Sequence, residues 1–138
     1  TSKTILPAET GELYLINYNT DANITITLPP VQEGAYFRFQ FMLALDATTG
    51  SVQIASADGA GTMKGTMWNA KYTAGSANTT NSTNKDSNSS KIHFSGSADG
   101  DALGKTHVGS YVDIYCDGAN WHASGLCIAG HLSQSVFV

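Results

Sequence analysis

The chain has 138 residues, 41% hydrophobic and only 13% charged, a balance that fits one domain spanning 1–138 and argues against a highly charged disordered tail or a multidomain enzyme. Seven Lys+Arg against eleven Asp+Glu leave a formal net charge of -4, so a basic groove would have to be built against the overall balance and no nucleic-acid partner is expected. A globule of this size buries about two thirds of its unfolded-chain surface, enough for a core without metals or disulfides as staples.

Short alternating or apolar runs separated by polar turns, with no long stripe of helical period, predict an all-β chain. In ELYLIN (12–17), Leu13 and Leu15 face one way and Tyr14 and Ile16 the other, with neither face clearly wet. NITITLP places Ile24, Ile26 and Leu28 against Thr25 and Thr27, until Pro29-Pro30 denies it a central ladder. AYFRFQFMLAL sets Phe37, Phe39, Phe41 and Leu43 against Tyr36, Arg38, Gln40 and Met42, so the three phenylalanines are core. A turn around 46–50 leads to SVQIAS, with Val52 and Ile54 inward, and the glycine-rich DGAGTMKG then reverses the chain before a further strand in MWNAKY.

Thr73 to Lys91 carries almost no apolar residue and predicts a long polar loop at about 73–91. Ile92 and Phe94 resume the alternation, and SADGDALGKTHVG is turn-rich. SYVDIYCDGANWHASG then reads as a hairpin: Val112, Ile114 and Cys116 share one face, Asp117-Gly118 opens the turn, and Trp121 anchors the return strand. LCIAG and SVFV follow, two runs suited to closing a sheet or packing on another copy. Together these elements predict a jelly-roll-like β-sandwich of about eight short antiparallel strands, with an Asn/Ser/Thr-rich loop and an N-terminal contact arm at 1–11. Immunoglobulin-like topology fits poorly, because Trp68 precedes both cysteines and Trp121 lies between two closely spaced ones.

No stretch of 18 apolar residues occurs, and the opening TSKTILPAETG lacks the apolar core of an uncleaved signal peptide, so a soluble chain without a membrane partner is expected. His93, His107, His122 and His131 form no HExxH motif, and the two cysteines lack zinc-ligand spacing. Cys116 with His122 would supply a nucleophile and a base, but Cys116 alternates with Val112 and Ile114 and reads as an inert core thiol. A Cys116–Cys127 disulfide across neighbouring strands and two buried thiols fit the sequence equally. Asp99-Gly100-Asp101 suits either a calcium ion or an ordinary Asp/Gly turn. Asp99, Asp101, Asp113 and Asp117 have no spacing that fixes a sugar-hydrolysing pair. No catalytic, metal or cofactor residue is therefore assigned, and the chain is not expected to be an enzyme.

The aromatic residues suited to a glycan or protein interface are Trp68, Tyr72, Tyr111, Tyr115 and Trp121. Trp121, after a tight turn and opposite an apolar strand, belongs to the core; Trp68, beside Asn69 and the polar loop, is the better surface residue. The loop from Ala77 to Ser90 offers many hydrogen-bonding groups and several N-x-[ST] patterns.

TITLPPVQEGAYFRFQF and VGSYVDIYCDGANWHASG resemble small β-rich segments of tailed-phage virion proteins, including capsid decoration proteins and head or tail fibre domains. In those, a Thr-rich strand ending in Leu-Pro precedes a Gly and an aromatic strand, and a later strand leads through Asp-Gly-x-x-Trp to a return strand. Leu28-Pro29, Gly34, Phe37, Phe39, Gly109, Tyr111, Val112, Ile114, Asp117, Gly118, Asn120 and Trp121 match that outline over about half of the chain. The Asn/Ser/Thr loop and the two cysteines depart from it. The resemblance implies a virion structural protein on the capsid exterior, a decoration or cement protein. Its partner would be the major capsid protein or another virion protein, and it would form a small homo-oligomer, a trimer by family analogy. The alternative is a glycan-binding receptor module of a fibre or spike, motivated by Trp68, Tyr72 and the polar loop.

Overall fold

An extended backbone turns successive side chains to opposite faces, so a two-residue alternation buries one face of a sheet and wets the other. The computed structural model describes residues 2–17, 22–45, 50–59, 62–71, 80–96, 106–129 and 137. Among them are ten strands: β1 (Lys3–Thr4), β2 (Leu13–Ile16), β3 (Ile24–Thr27), β4 (Tyr36–Phe41), β5 (Ser51–Ala55), β6 (Met63–Lys71), β7 (Thr80–Ser89), β8 (Lys91–Ser95), β9 (Tyr111–Cys116) and β10 (Trp121–Ala129). A 3-10 turn, Pro7–Glu9, separates β1 from β2. Among the described residues no helix is long and apolar enough to cross a membrane.

The strands form two mixed sheets in a sandwich-like arrangement, a smaller one ordered β1-β3-β5-β8 and a larger one ordered β2-β4-β9-β10-β6-β7. Phe37, Phe39 and Phe41 of β4 are fully buried, as are Val112 and Ile114 of β9, Trp121 of β10, Val52 and Ile54 of β5, and Ile92 and Phe94 of β8. The Phe41 ring meets that of Phe94 at 4.7 Å between centroids, joining the two sheets through the core. Trp121 lies 5.9 Å from Phe37, in the core position its place after the turn predicts. Each such side chain contributes about 1.5–3 kcal/mol on leaving water, so the β4–β9–β10 ladder holds much of the apolar driving force.

Half of the strand pairings are parallel, which corrects the antiparallel expectation: β1 with β3, β3 with β5, β2 with β4, and β6 with β10. The reason is the route of the chain. From β1 to β6 it alternates between the two sheets, so each return to a sheet comes after a full turn and in the same direction. A parallel pair needs a long crossover, and for β1–β3, β2–β4 and β3–β5 that crossover is one strand of the opposite sheet, whereas between β6 and β10 the chain runs through β7, β8 and β9. Register confirms the winding: Lys3 lies opposite Ile26, Leu13 opposite Arg38 and Ile24 opposite Val52. The prolines do not exclude β3 from an interior position between β1 and β5, because they follow its last residue and Leu28 still donates to the Ala55 carbonyl at 2.8 Å.

The polar stretch expected as a loop at 73–91 contains β7, antiparallel to β6 along most of its length. Residues 73–79 lie outside the described part. An edge strand draws its stability from one backbone ladder, so Thr, Ser and Asn suffice where an interior strand would need apolar residues, and polar composition protects such an edge from further pairing. The glycine-rich reversal is shorter than the sequence suggests, since β6 begins at Met63. Gly65 has φ +140° beside a register shift in the β6–β7 ladder, and a Cβ there would collide with the Ala123 backbone.

Leu126 to Ala129 of the LCIAG run form the second half of β10, not a separate element, and pair with β6, while Gly130 lies outside the described residues. Phe137 is buried and bridges Ile92; Val136 and Val138 lie outside the described residues. The start of the N-terminal segment expected as a contact arm pairs within the smaller sheet, with β1 on β3 and Ile5 buried. Leu43 is exposed instead of joining the phenylalanine face, because β4 ends at Phe41.

Phe39→Ala is expected to lower stability by about 3–5 kcal/mol, whereas Leu15→Ala, on the paired strand but facing outward, should change it by less than about 0.5 kcal/mol. Gly125→Ala should cost about 1–3 kcal/mol, since its Cβ would run into the backbone of Tyr111 and Val112 on β9. Urea unfolding of the three variants measures all of these.

Candidate functional site

Burying the odd-numbered phenylalanines of β4 and the even-numbered residues of β9 sends their neighbours to the outer face of the larger sheet. Strand register arranges that face in three rows. The first runs Tyr36, Tyr115, His122, Lys64; the second runs Leu13, Arg38, Asp113, Ser124, Thr66; the third runs Leu15, Gln40, Tyr111, Leu126, Trp68. Trp68 is 53% exposed, Tyr115 50% and Tyr36 38%. Three of the five aromatic residues singled out from the sequence, Trp68, Tyr111 and Tyr115, thus share one surface. Trp121 is in the core, and Tyr72 lies outside the described residues.

The middle of this face is held by polar contacts. Tyr36 Oη donates to Asp113 Oδ1 at 2.8 Å, and that bond to a carboxylate pushes the phenol's pKa up, so Tyr36 stays protonated at neutral pH. Arg38 Nε lies 3.6 Å from the same oxygen. Its guanidinium rests over the Tyr111 ring, 4.7 Å from the centroid, a cation–π contact that fixes its orientation. Tyr115 and His122 stack face against face at 4.8 Å and 9°, so each ring fixes the orientation of the other across β9 and β10.

Beside the stacked pair, the Asp117 carboxylate organises the hairpin turn. Its Oδ1 accepts from the backbone amides of Ala119 at 2.9 Å and Asn120 at 2.7 Å, and Oδ2 contacts His122 Nε2 at 2.6 Å. Gly118, with φ +94°, takes the left-handed position the turn requires. The His122 contact first, and the two amides after it, hold the Asp117 carboxyl far below the usual carboxylate range. A carboxyl so held stays ionised and does not suit the proton-donor half of a sugar-hydrolysing pair.

The other sequence candidates separate. Cys116 faces the core with Val112 and Ile114, while His122 lies on the outer face with Tyr115, so the Cys116–His122 nucleophile and base pair does not form. Both cysteines are buried free thiols. Cys116 lies opposite Trp121, and Cys127 sits six residues further along β10, about 20 Å away, which no disulfide spans. Burial pushes the Cys127 thiol up to about 11, leaving it protonated and unreactive.

His93 lies on β8 opposite Gln53, and burial, with Lys91 nearby, lowers its pKa. His107 is half-buried and donates its backbone amide to Ile128. His131, Asp99, Gly100 and Asp101 lie outside the described residues. Among the described residues no group of three or more His, Cys, Asp or Glu converges on a point where a metal would bind.

Sequence reasoning set Tyr36 and Arg38 opposite the phenylalanines and weighed His122 as a base, but did not single the three out as members of one binding face. The signal was the alternation in YFRFQF, which turns Tyr36 and Arg38 away from the core; their partner Asp113 lies 77 residues from Tyr36 in the chain. Comparison with protein-family models, curated proteins and solved structures finds no match.

Asp117→Asn keeps an oxygen for the turn amides and drops the charge. The wild-type carboxyl, depressed in the folded state, binds fewer protons there than in the unfolded chain, so its contribution is present above about pH 4 and is lost as pH falls further. The variant should therefore lose stability less steeply between about pH 4 and pH 2, measured by urea unfolding across that range.

Proposed function

We propose that this chain is a virion structural protein, a capsid decoration or cement protein that binds the exterior of a phage head and stabilises it without turnover. The observation that carries this reading is that the two stretches resembling virion proteins pack as one unit. Phe37 and Phe39 of β4 lie opposite Ile114 and Val112 of β9, and Trp121, which closes the Asp117-Gly118 hairpin, packs on Phe37. Leu28 is fully buried beneath the same core. The finer fold assignment, a jelly-roll-like winding, belongs to this reading through the two-sheet sandwich, and the parallel coil of the first five strands departs from it.

The surface best suited to a protein neighbour is the β2 edge. β2 ends the larger sheet, its leucines Leu13 and Leu15 are more than half exposed, and Met42, which donates its amide to the Ile16 carbonyl, adds a further exposed apolar side chain. An uncovered strand edge offers a backbone ladder, and the leucines offer an apolar anchor. The neighbour is the major capsid protein or a second copy in a trimer. Binding the assembled lattice more tightly than free subunits would stabilise it by mass action.

Purified heads imaged with and without the protein test the reading. Occupancy at symmetry-related capsid sites with a higher disruption temperature is expected; density only at a vertex or tail would reassign the protein to a fibre or spike. Leu13→Asp with Leu15→Asp should weaken head binding more than about tenfold and leave the melting temperature of the free protein within about 2 °C.

A further inference from the structure

Beyond β2, whose Leu13 and Leu15 begin the second and third rows, the outer face of the larger sheet changes from apolar to aromatic and polar. Its exposed rings, Tyr36 and Tyr115 in the first row and Trp68 in the third, flank a central row whose Arg38, Asp113, Ser124 and Thr66 all carry hydrogen-bonding groups. From Tyr115 to Trp68 the register spans two inter-strand steps and four residues along the strand, roughly 16 Å. This is the length of a short oligosaccharide.

We infer that this face is a binding site for a neutral glycan, lying across β4, β9, β10 and β6. A pyranose presents an apolar C–H face and a rim of hydroxyls. The first needs an aromatic ring lying open to solvent, and the second needs fixed donors and acceptors beside it. The stack with His122, 4.8 Å and 9°, holds the half-exposed Tyr115 ring in a fixed orientation, and Trp68 supplies a second exposed ring at the far end. Between them, Asp113 accepts from Tyr36 at 2.8 Å and Arg38 is held over Tyr111 at 4.7 Å, so a carboxylate and a guanidinium are positioned before any ligand arrives. Preorganised groups lose little entropy on binding.

Charge selects the class of sugar. Arg38 is set against Asp113 at 3.6 Å, and Lys64 lies beside His122, which contacts Asp117. With His122 neutral, Arg38 and Lys64 balance Asp113 and Asp117, so among the described residues no net positive charge favours a sialylated, sulfated or uronic chain. A protein partner fits less well, because the centre of the face is a charged and hydroxylated row where protein interfaces concentrate apolar area and shed charge.

The proposal does not depend on capsid decoration, and its test uses the isolated full chain. Trp68 is half exposed and Trp121 fully buried, so quenching or blue-shift of the exposed-tryptophan emission reports occupancy directly. The probes are cellotetraose, maltotetraose, mannotetraose, xylotetraose and N-acetylchitotetraose, with a sialylated tetrasaccharide as the charged comparison, each titrated to about 10 mM. The expected result is saturable binding of at least one neutral probe, with amide chemical-shift changes confined to β4, β9, β10 and β6.

Affinity should fall at least about tenfold in Tyr115→Ala, read by tryptophan emission, and in Trp68→Phe, read by the amide chemical shifts because the reporting ring is gone, each with an unchanged melting temperature. Arg38→Lys, which keeps the charge but loses the planar fork, should fall by a similar factor. No saturation by any neutral probe overturns the inference, as does binding that all three substitutions leave intact or a clear preference for the sialylated probe. Head binding measured in Tyr115→Ala and Trp68→Phe, on β9 and β6 and so away from the β2 edge, separates the two proposals: these two substitutions should leave it unchanged.

Discussion

The register between β4 and β9 is the constraint from which the rest of the structure follows. Phe37 sits opposite Ile114 and Phe39 opposite Val112, all fully buried. A slip of one residue would turn every one of these side chains to solvent and bring Arg38 and Asp113 into the core. Burying a guanidinium and a carboxylate costs several kcal/mol each unless their pairing is excellent, so the correct register is strongly preferred. The same two-residue period that seats the phenylalanines also sets out Tyr36, Arg38, Asp113 and Tyr115 on the opposite surface. Core and candidate site are two faces of one ladder.

Around that ladder the chain is wound rather than folded back. The first half passes alternately through the two sheets, which gives the parallel β1–β3–β5 and β2–β4 pairs. The winding brings strands distant in sequence into contact and leaves β2 at one edge of the larger sheet and β7 at the other. The two edges are treated differently by composition. β7 is drawn from Thr, Asn, Ser, Lys and Asp, which suits an edge facing water, whereas β2 carries two exposed leucines, which suits an edge with a neighbour.

The hairpin that closes the domain shows how a local signal serves a distant surface. Asp117 satisfies two turn amides and His122 together, so the residue that shapes the turn also orients the ring on which Tyr115 stacks. Cys116, one residue before it, points inward. The alternation of the strand, not the proximity of residues 116 and 122 in the chain, decides which side chains meet. A cysteine and a histidine six positions apart therefore lie on opposite sides of the sheet.

Much of the fold was legible in the order of residues alone, because alternation is a local property: the all-β class, the Phe37, Phe39 and Phe41 face, the buried Trp121, the exposed Trp68 and the Asp117-Gly118 turn all follow from short windows. Leu13 and Leu15 were not legible, since a strand with apolar residues on both faces does not say which side will be covered. Nor was β7, whose polar residues form a strand only because β6 offers them a ladder. Which strands run parallel, which thiols stand about 20 Å apart, and that Tyr36 reaches Asp113 across 77 residues depend on contacts between distant segments. No short window contains both partners of such a contact, so the tertiary structure alone decided them.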